Sequence, residues 1–156
     1  MSYLENFGIQ VGQSRHHEEA IYVIVVAFNL LNSEMTAYLN NFNLTPAKLN
    51  VLMILKHHAH GQGISQVEIS KKLIVTPSNM TKLLDKLEKE KLIERVSREG
   101  DRRVKLIKIT DQGSKVLDAA WPGYKRQLVK LAEGLNLKDQ ETIARLLMKW
   151  IDHLGG

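Results

Sequence analysis

The 156-residue chain is 44% hydrophobic and 25% charged and has no cysteine, a composition typical of a soluble globular protein with one core. The lack of cysteine excludes disulfides and thiolate metal sites. The formal net charge of +5 lies in residues 71–105, which hold 11 of the 22 basic and 6 of the 17 acidic residues, so the rest of the chain is neutral. This segment favours a polyanionic partner, because each Lys or Arg that meets a phosphate releases a counterion.

The N-terminal part of the chain is apolar but has no signal-sequence pattern. Residues 1–14 contain neither a basic residue nor a continuous apolar core, so no secretory signal is predicted. The most apolar run, residues 20–31, is shorter than the roughly 20 residues of a membrane span. It predicts a buried helix in a cytoplasmic protein. Residues 18–41 lack Pro and Gly and are apolar on more than one face, so we expect a second subunit to cover this helix.

Capping patterns then mark three successive helix starts. The Thr-Pro pair at residues 45–46 suits an N-cap and a first turn. Residues 65–68, Ser-Gln-Val-Glu, form a capping box that opens a short helix through Leu73. A second Thr-Pro pair at residues 76–77 opens a helix to about Glu90. The last two helices are close enough in sequence to form a helix-turn-helix.

The second helix of this pair has the side chains that a DNA-reading helix needs. Its start is polar and small, with Ser78, Asn79 and Thr81 ahead of Lys82. Such side chains allow close approach to base edges in the major groove and offer donors and acceptors there. The apolar side chains are predicted to share another face of this helix. They are Met80, Leu83, Leu84 and Leu87.

A basic hairpin is predicted to follow. Residues 93–97 and 104–109 have strand character, and residues 98–102 form a polar turn between them. Arg98, Arg102 and Arg103 are expected at this turn, where a guanidinium can enter a narrow minor groove. Two helices, a tight turn and a basic hairpin together predict a winged helix-turn-helix.

The remaining residues predict two helices. Thr110 is expected to cap a helix through Ala120, and the Pro-Gly pair at residues 122–123 should kink or interrupt it. Asn136 should cap the last helix, whose apolar stripe includes Trp150. The predicted fold class is therefore mainly α with a small β-hairpin wing, dimerised through the N- and C-terminal helices.

Residues 44–113 resemble the multiple-antibiotic-resistance regulator (MarR) family. The most specific part is the Asp-Arg-Arg at residues 101–103, correctly spaced from the Leu-Ile-Glu-Arg at residues 92–95 and from the next helix start. The family usually has Gly before the Leu-Ile pair, where this chain has Lys91. Without Gly, a left-handed helix end costs roughly 1 kcal/mol more, or the helix ends differently. The resembling segments are residues 44–45, 65–69, 75–88, 92–95, 101–103 and 109–113.

The resemblance implies a transcription regulator that binds double-stranded DNA, needs no cofactor and acts as a homodimer on a pseudo-palindromic operator, as a repressor by expectation. Residues 1–43 and 114–156 would be the dimerisation regions and residues 44–113 the DNA-binding lobe. Arg103 would lie at the wing tip, held by Asp101 through a charge-assisted hydrogen bond. The predicted DNA-binding residues are Thr76, Ser78, Asn79, Thr81, Lys82, Lys86, Arg98, Asp101, Arg102, Arg103 and Lys105.

An effector and a metal are the two small ligands to consider. Many relatives bind small aromatic acids between the dimer helices and the winged lobe, so the resemblance implies an aromatic or phenolic effector whose contacts stay open. Trp121 and Trp150 are expected to fill a helix–helix core rather than line a pocket. His57, His58 and His60 could sense a metal, but the chain has no His-Glu-x-x-His pattern. A solvent-facing helix end, where imidazoles suit the dipole, is favoured.

Two other function classes are weaker. An enzyme would need a nucleophile–base pair, a phosphate-binding loop or carboxylates at acid/base spacing, and the sequence has none of these patterns. A winged-helix module could instead bind protein or RNA. The predicted reading helix has no aromatic side chain to stack on bases, which disfavours RNA.

We predict that Arg103→Ala weakens operator binding far more than it alters folding, because the side chain would contact DNA and not the core. A gel-shift titration with the purified variant measures the first quantity and thermal melting the second. Operator affinity equal to that of the unaltered protein would contradict the prediction.

Overall fold

The computed structural model describes residues 16–58, 62–73, 77–98 and 101–155, with no side-chain description for residues 58, 77, 78 and 101–104. Within these ranges the chain is mainly helical with one small sheet, so the predicted mainly α fold with a small wing is confirmed, and its dimerisation stays a prediction. A short 3₁₀ turn, Asn40–Phe42, follows the first helix. The elements are α1 His16–Leu39, α2 Pro46–His58, β1 Ile64–Ser65, α3 Gln66–Leu73, α4 Pro77–Lys89, β2 Ile93–Arg98, β3 Asp101–Ile109, α5 Asp111–Ala132 and α6 Leu137–Gly155.

The core lies in the winged lobe, between α2, α3, α4, the sheet and the first half of α5. α4 contributes Met80, Leu84 and Leu87, whose spacing of three and four residues places them on one side of the helix, and all three are fully buried. Leu83 is partly buried against the same cluster. The predicted apolar face of α4 is therefore confirmed. Its opposite face is left for solvent or a ligand.

The wing is a three-stranded antiparallel sheet with the order β1-β3-β2. The sequence predicted only β2 and β3. It gave no signal for β1, because a strand of two residues is too short to show the alternation of apolar and polar side chains. The hairpin is also longer than predicted, since Arg98 pairs with Asp101. The turn is therefore shorter than the predicted residues 98–102, and the predicted bounds were wrong. Pairing of the backbone needs no apolar alternation, so a polar strand end carries little sequence signal.

The capping box at residues 65–68 forms as predicted and fixes the junction of β1 and α3. Glu68 Oε2 accepts hydrogen bonds from Ser65 Oγ at 2.6 Å and from Ser65 N at 3.0 Å, and Glu68 N donates back to Ser65 Oγ at 3.3 Å. The hydrogen bond from the Ser65 hydroxyl is the main reason why the pKa of Glu68 is lowered. The start of the helix-turn-helix is therefore held by reciprocal bonds.

Three other predicted N-caps are also confirmed. Each side-chain oxygen accepts a backbone N–H three residues along the chain, as N-caps do. The pairs are Thr45 with Lys48 at 3.3 Å, Thr110 with Gly113 at 3.0 Å, and Asn136 with Asp139 at 3.0 Å. Thr76, the expected cap of α4, lies outside the described residues.

α5 continues through Pro122 to Ala132, so the expected helix end at Ala120 and the alternative of an interruption were wrong, and the alternative of a kink stays a prediction. The Tyr38 hydroxyl of α1 donates to the Ala120 carbonyl at 2.9 Å. A methyl group at position 123 would overlap this hydroxyl, so Gly123 permits the close crossing of the two helices. This crossing packs α1 against α5 next to Pro122, which itself lacks a backbone donor.

α1 and α6 expose most of their apolar side chains, so this chain alone does not bury α1, and the expected cover by a second subunit stays a prediction. Only Met35 and Leu39 of α1, and no residue of α6, are buried. By length and composition the segment His16–Phe42 could cross a membrane, with a mean hydropathy of 1.4 and 6% of its most apolar window buried. The largest exposed side chains of the two helices include Tyr22, Phe28, Leu30, Leu31, Leu146, Met148, Ile151 and Leu154.

α4 ends in a left-handed turn at Lys91, which has φ 59°. Lys91 N donates to Glu88 O at 2.9 Å and Leu92 N donates to Leu87 O at 3.0 Å, which is the bond pair of a Schellman motif. Without Gly at this position, a left-handed helix end of higher free energy or a different helix end was expected, and the chain adopts the left-handed end. Thr110 Oγ1 donates to the Lys91 carbonyl at 2.7 Å, which connects this helix end to the start of α5.

We predict that Lys91→Gly raises the free energy of unfolding by about 1 kcal/mol, because Gly has no Cβ to clash in a left-handed turn. Lys86→Gly is the matched control: this exposed lysine lies inside α4, and its replacement should cost about 1 kcal/mol. Chemical denaturation measures both. A Lys91→Gly protein no more stable than the unaltered chain would contradict the account of this turn.

Candidate nucleic-acid interface

The exposed side of α4 carries a stripe of lysines. Lys82, Lys86 and Lys89 are separated by four and three residues, so they share one face of the helix, and all three are exposed. Asn79 and Thr81 are exposed near the start of the same helix. Lys89 was missed by the sequence analysis, although its spacing from Lys82 and Lys86 was a usable signal.

Two of the predicted residues of α4 have no described side chain. Ser78 lies in the first turn of α4 by its backbone, and Thr76 lies outside the described residues. Their roles stay predictions.

Arg95 of β2 joins the wing to α4. Its guanidinium bonds Asp85 Oδ1 at 2.6 Å through Nη2 and Glu88 Oε2 through Nη1. Burial alone would lower the pKa of Arg95, but the bonds and charges of Asp85 and Glu88 outweigh it and raise the pKa. The bridge offsets two negative charges beside the lysine stripe, where they would repel phosphates. It also sets the orientation of β2 relative to α4.

The C-terminal end of α4 is held by a buried lysine of α2. Lys48 is 3% exposed, and its ammonium bonds both oxygens of Glu90, at 2.6 and 2.7 Å. It also donates to the Asn43 carbonyl at 3.1 Å. A buried lysine is stable only when its charge is paired and its protons are bonded, and these three bonds meet that need. Sequence reasoning missed this pair because its partners are 42 residues apart.

The N-terminal part of α4 is joined to α3. Gln66 Nε2 donates to Thr81 Oγ1 at 2.7 Å. The predicted reading helix is therefore attached by side chains to α3, to the wing and to α2. These contacts leave the lysine stripe on the free side.

The wing places two predicted residues on the surface. Arg98 is exposed at the end of β2, and Lys105 is exposed on β3 with its ammonium bonded to Ser97 Oγ at 2.7 Å. By their backbone, Asp101, Arg102 and Arg103 lie at the start of β3, but their side chains are not described. The expected bond between Asp101 and Arg103 therefore stays a prediction.

The histidine cluster has little structural support. His57 is exposed at the end of α2, while the His58 side chain and His60 lie outside the description. Within the described ranges, no group of three His, Asp or Glu side chains could hold a metal ion.

Comparison with known proteins identifies the family. Residues 44–105 match the model of the MarR family. The chain is 30% identical over 122 residues to the HTH-type transcriptional repressor MdtR of Bacillus subtilis, covering 78% of this chain and 77% of MdtR. It is 30% identical over 126 residues to an uncharacterized HTH-type transcriptional regulator of Bacillus cereus, with coverage of 80% and 82%. The chain belongs to the MarR family.

Solved structures agree with this assignment. The MepR chain of an S. aureus MepR–DNA complex is 26% identical to this chain, with a TM-score of 0.77 and a match that covers 85% of this chain and 96% of MepR. A mutant of E. coli MarR complexed with operator DNA, 23% identical with a TM-score of 0.79 over 90% of this chain and 99% of MarR, shows the shared fold. This MarR-family chain is thus a winged helix-turn-helix transcription regulator and not an enzyme, as the sequence predicted.

We predict that Arg95→Gln lowers affinity for a preferred DNA duplex by about tenfold at low salt, because Asp85 and Glu88 would then repel nearby phosphates. The loss of fold stability should be only about 1 kcal/mol, since the carboxylates are half exposed. Fluorescence anisotropy with labelled duplex and chemical denaturation measure the two effects.

Lys56→Gln is the matched control for Arg95→Gln. Lys56 forms an ion pair of comparable exposure with Asp118 that joins α2 to α5. This variant should lose similar stability and keep its DNA affinity. Equal losses of affinity in the two variants would contradict a specific role for the Arg95 bridge.

Proposed function

We propose that the protein is a cytoplasmic repressor that binds a pseudo-palindromic DNA operator as a homodimer. In this proposal α4 enters the major groove and the basic ends of β2 and β3 reach the adjacent minor groove. The observation that carries it is the exposed stripe of Lys82, Lys86 and Lys89 beside a wing joined to the same helix by Arg95. The repressor name of MdtR and the DNA-bound states of MepR and MarR support it.

A second subunit is the partner best suited to bury the exposed apolar side chains of α1 and α6. Their exposed apolar side chains lie on helices that begin and end the described chain, the regions expected to dimerise. A membrane fits α1 less well, because Tyr38 and Leu39 at its end pack against the core of the winged lobe. The first turn also carries Glu18 and Glu19, and acidic groups are costly in a bilayer. The homodimer would set two copies of α4 on one duplex.

An aromatic acid is the effector that the chain could bind beside this lobe. A cavity of about 510 Å³ lies between α2, the end of α3 and α5. Trp121 and Tyr124 in its wall are stacked with ring centroids 5.4 Å apart, and Lys72 offers a cation for a carboxylate. Trp121 also packs on the core, as expected, but it lines this cavity too. Ligand binding against α3 could shift α4 and release the operator.

A salt titration tests DNA binding. The logarithm of duplex affinity should fall by several units per tenfold rise in salt, because a dimer neutralises many phosphates. Lys82→Gln should weaken binding to all sequences and reduce the slope by about two, one for each subunit. Lys125→Gln, which changes an exposed lysine on α5, should leave the slope unaltered. No duplex binding at low salt would contradict the proposal and favour a protein-docking module.

Trp121 fluorescence tests the effector site. In a Trp150→Phe background Trp121 is the only tryptophan, so benzoate should quench its emission and lower DNA affinity. Benzyl alcohol, which has no carboxylate to pair with Lys72, is the matched control. It should quench Trp121 emission and lower DNA affinity more weakly than benzoate does. Lys72→Ala should reduce the benzoate effect by about tenfold. Equal effects of both compounds, or of benzoate on both proteins, would contradict the assigned site.

A further inference from the structure

We propose that Gln66 is a positioning residue that helps to set DNA sequence preference by fixing the side chain of Thr81. The inference rests on the proposed function, because it assumes that α4 reads a duplex. The contact that carries it is the 2.7 Å hydrogen bond from Gln66 Nε2 to Thr81 Oγ1. Gln66 belongs to α3, outside the helix that meets the groove, and the sequence analysis assigned it only to a capping box.

The Thr81 side chain can present either of two groups to a base pair. It is exposed one residue before Lys82 on α4. In a helix, a threonine side chain divides between two rotamers. These rotamers exchange the positions of a methyl group and a hydroxyl. A methyl group packs on the C5-methyl of thymine, whereas a hydroxyl can donate to or accept from a base edge. The choice of rotamer therefore affects which base pair is preferred.

Gln66 can make that choice because its own position is fixed. It follows Ser65, whose backbone pairs with Leu106 of β3 and whose side chain bonds Glu68 in the capping box. Gln66 is half-buried as a residue, and the bond of its amide to Thr81 lies at the surface, so this bond is what limits the conformations of the side chain. An amide held in this way directs the Thr81 hydroxyl toward α3. We therefore assign to Gln66 a role in sequence preference, distinct from the general attraction that lysines exert on phosphates.

The experiment compares Gln66→Met, which keeps the length of the side chain but removes the amide donor, with the unaltered protein. A duplex selected from a random pool, its single-base-pair variants and an unrelated duplex serve as probes. Affinity for the selected duplex should fall about tenfold. The fall should be concentrated at one base pair in each half-site, with unrelated-duplex affinity and salt slope unchanged. Gln127→Met, on α5, is the matched control and should bind as the unaltered protein does.

A double-mutant cycle separates positioning from a general structural effect. Thr81→Val keeps the side-chain shape but removes the hydroxyl, so it should relax the same base pair. The Gln66→Met/Thr81→Val protein should be no worse than either single variant, since both remove one interaction. Additive losses, or a Gln66→Met protein that weakens equally on all duplexes, would overturn the inference.

Failure of the proposed function gives a different result. If the unaltered protein binds no duplex at low salt, the proposed function and this inference are both overturned. If it discriminates among duplexes and Gln66→Met discriminates equally, only the role of Gln66 is overturned. Circular dichroism of each variant verifies folding, and Thr81→Val on α4 tests the same contact if Gln66→Met is unfolded.

Discussion

The bridge from Arg95 to Asp85 and Glu88 is the contact on which the DNA-binding account depends. A winged helix-turn-helix presents a helix and a hairpin to neighbouring grooves, so a fixed relative orientation lowers the cost of ordering them on DNA. The bifurcated guanidinium suits this task, because its donors form a rigid fork that a lysine could not replace. Because Arg95 offsets the negative charges of Asp85 and Glu88, the lysine stripe dominates the electrostatic potential on the exposed side of α4.

Sequence reasoning succeeded where the determinants are local and failed where they are not. The caps at Thr45, Ser65, Thr110 and Asn136 depend on residues three apart, and the buried face of α4 depends on helical spacing, so both were predictable. The contacts of Lys48 with Glu90 and of Tyr38 with Ala120 join residues 42 and 82 positions apart. A single sequence carries no local signal for either contact.

The helix ends show a related limit. Lys91 adopts the left-handed turn that Gly would adopt without strain, and bonds from Thr110 to the carbonyls of Lys91 and Leu92 hold it there. At position 113 a side chain would overlap the Leu92 carbonyl, so Gly113 permits this close contact. The sequence predicted that Lys91 is unusual for this family, but the bonds that hold its left-handed turn come from Thr110, at the start of α5.

Methylation interference with dimethyl sulfate tests the central claim most directly, because the reagent modifies guanine N7 in the major groove and adenine N3 in the minor groove. The account predicts interference at guanines in the centre of each half-site and at adenines in the flanking minor groove. The two half-site centres should lie about 10–10.5 base pairs apart, or a multiple of that. Interference confined to one groove, or to a single half-site, would contradict a dimer that inserts α4 and its wing into adjoining grooves.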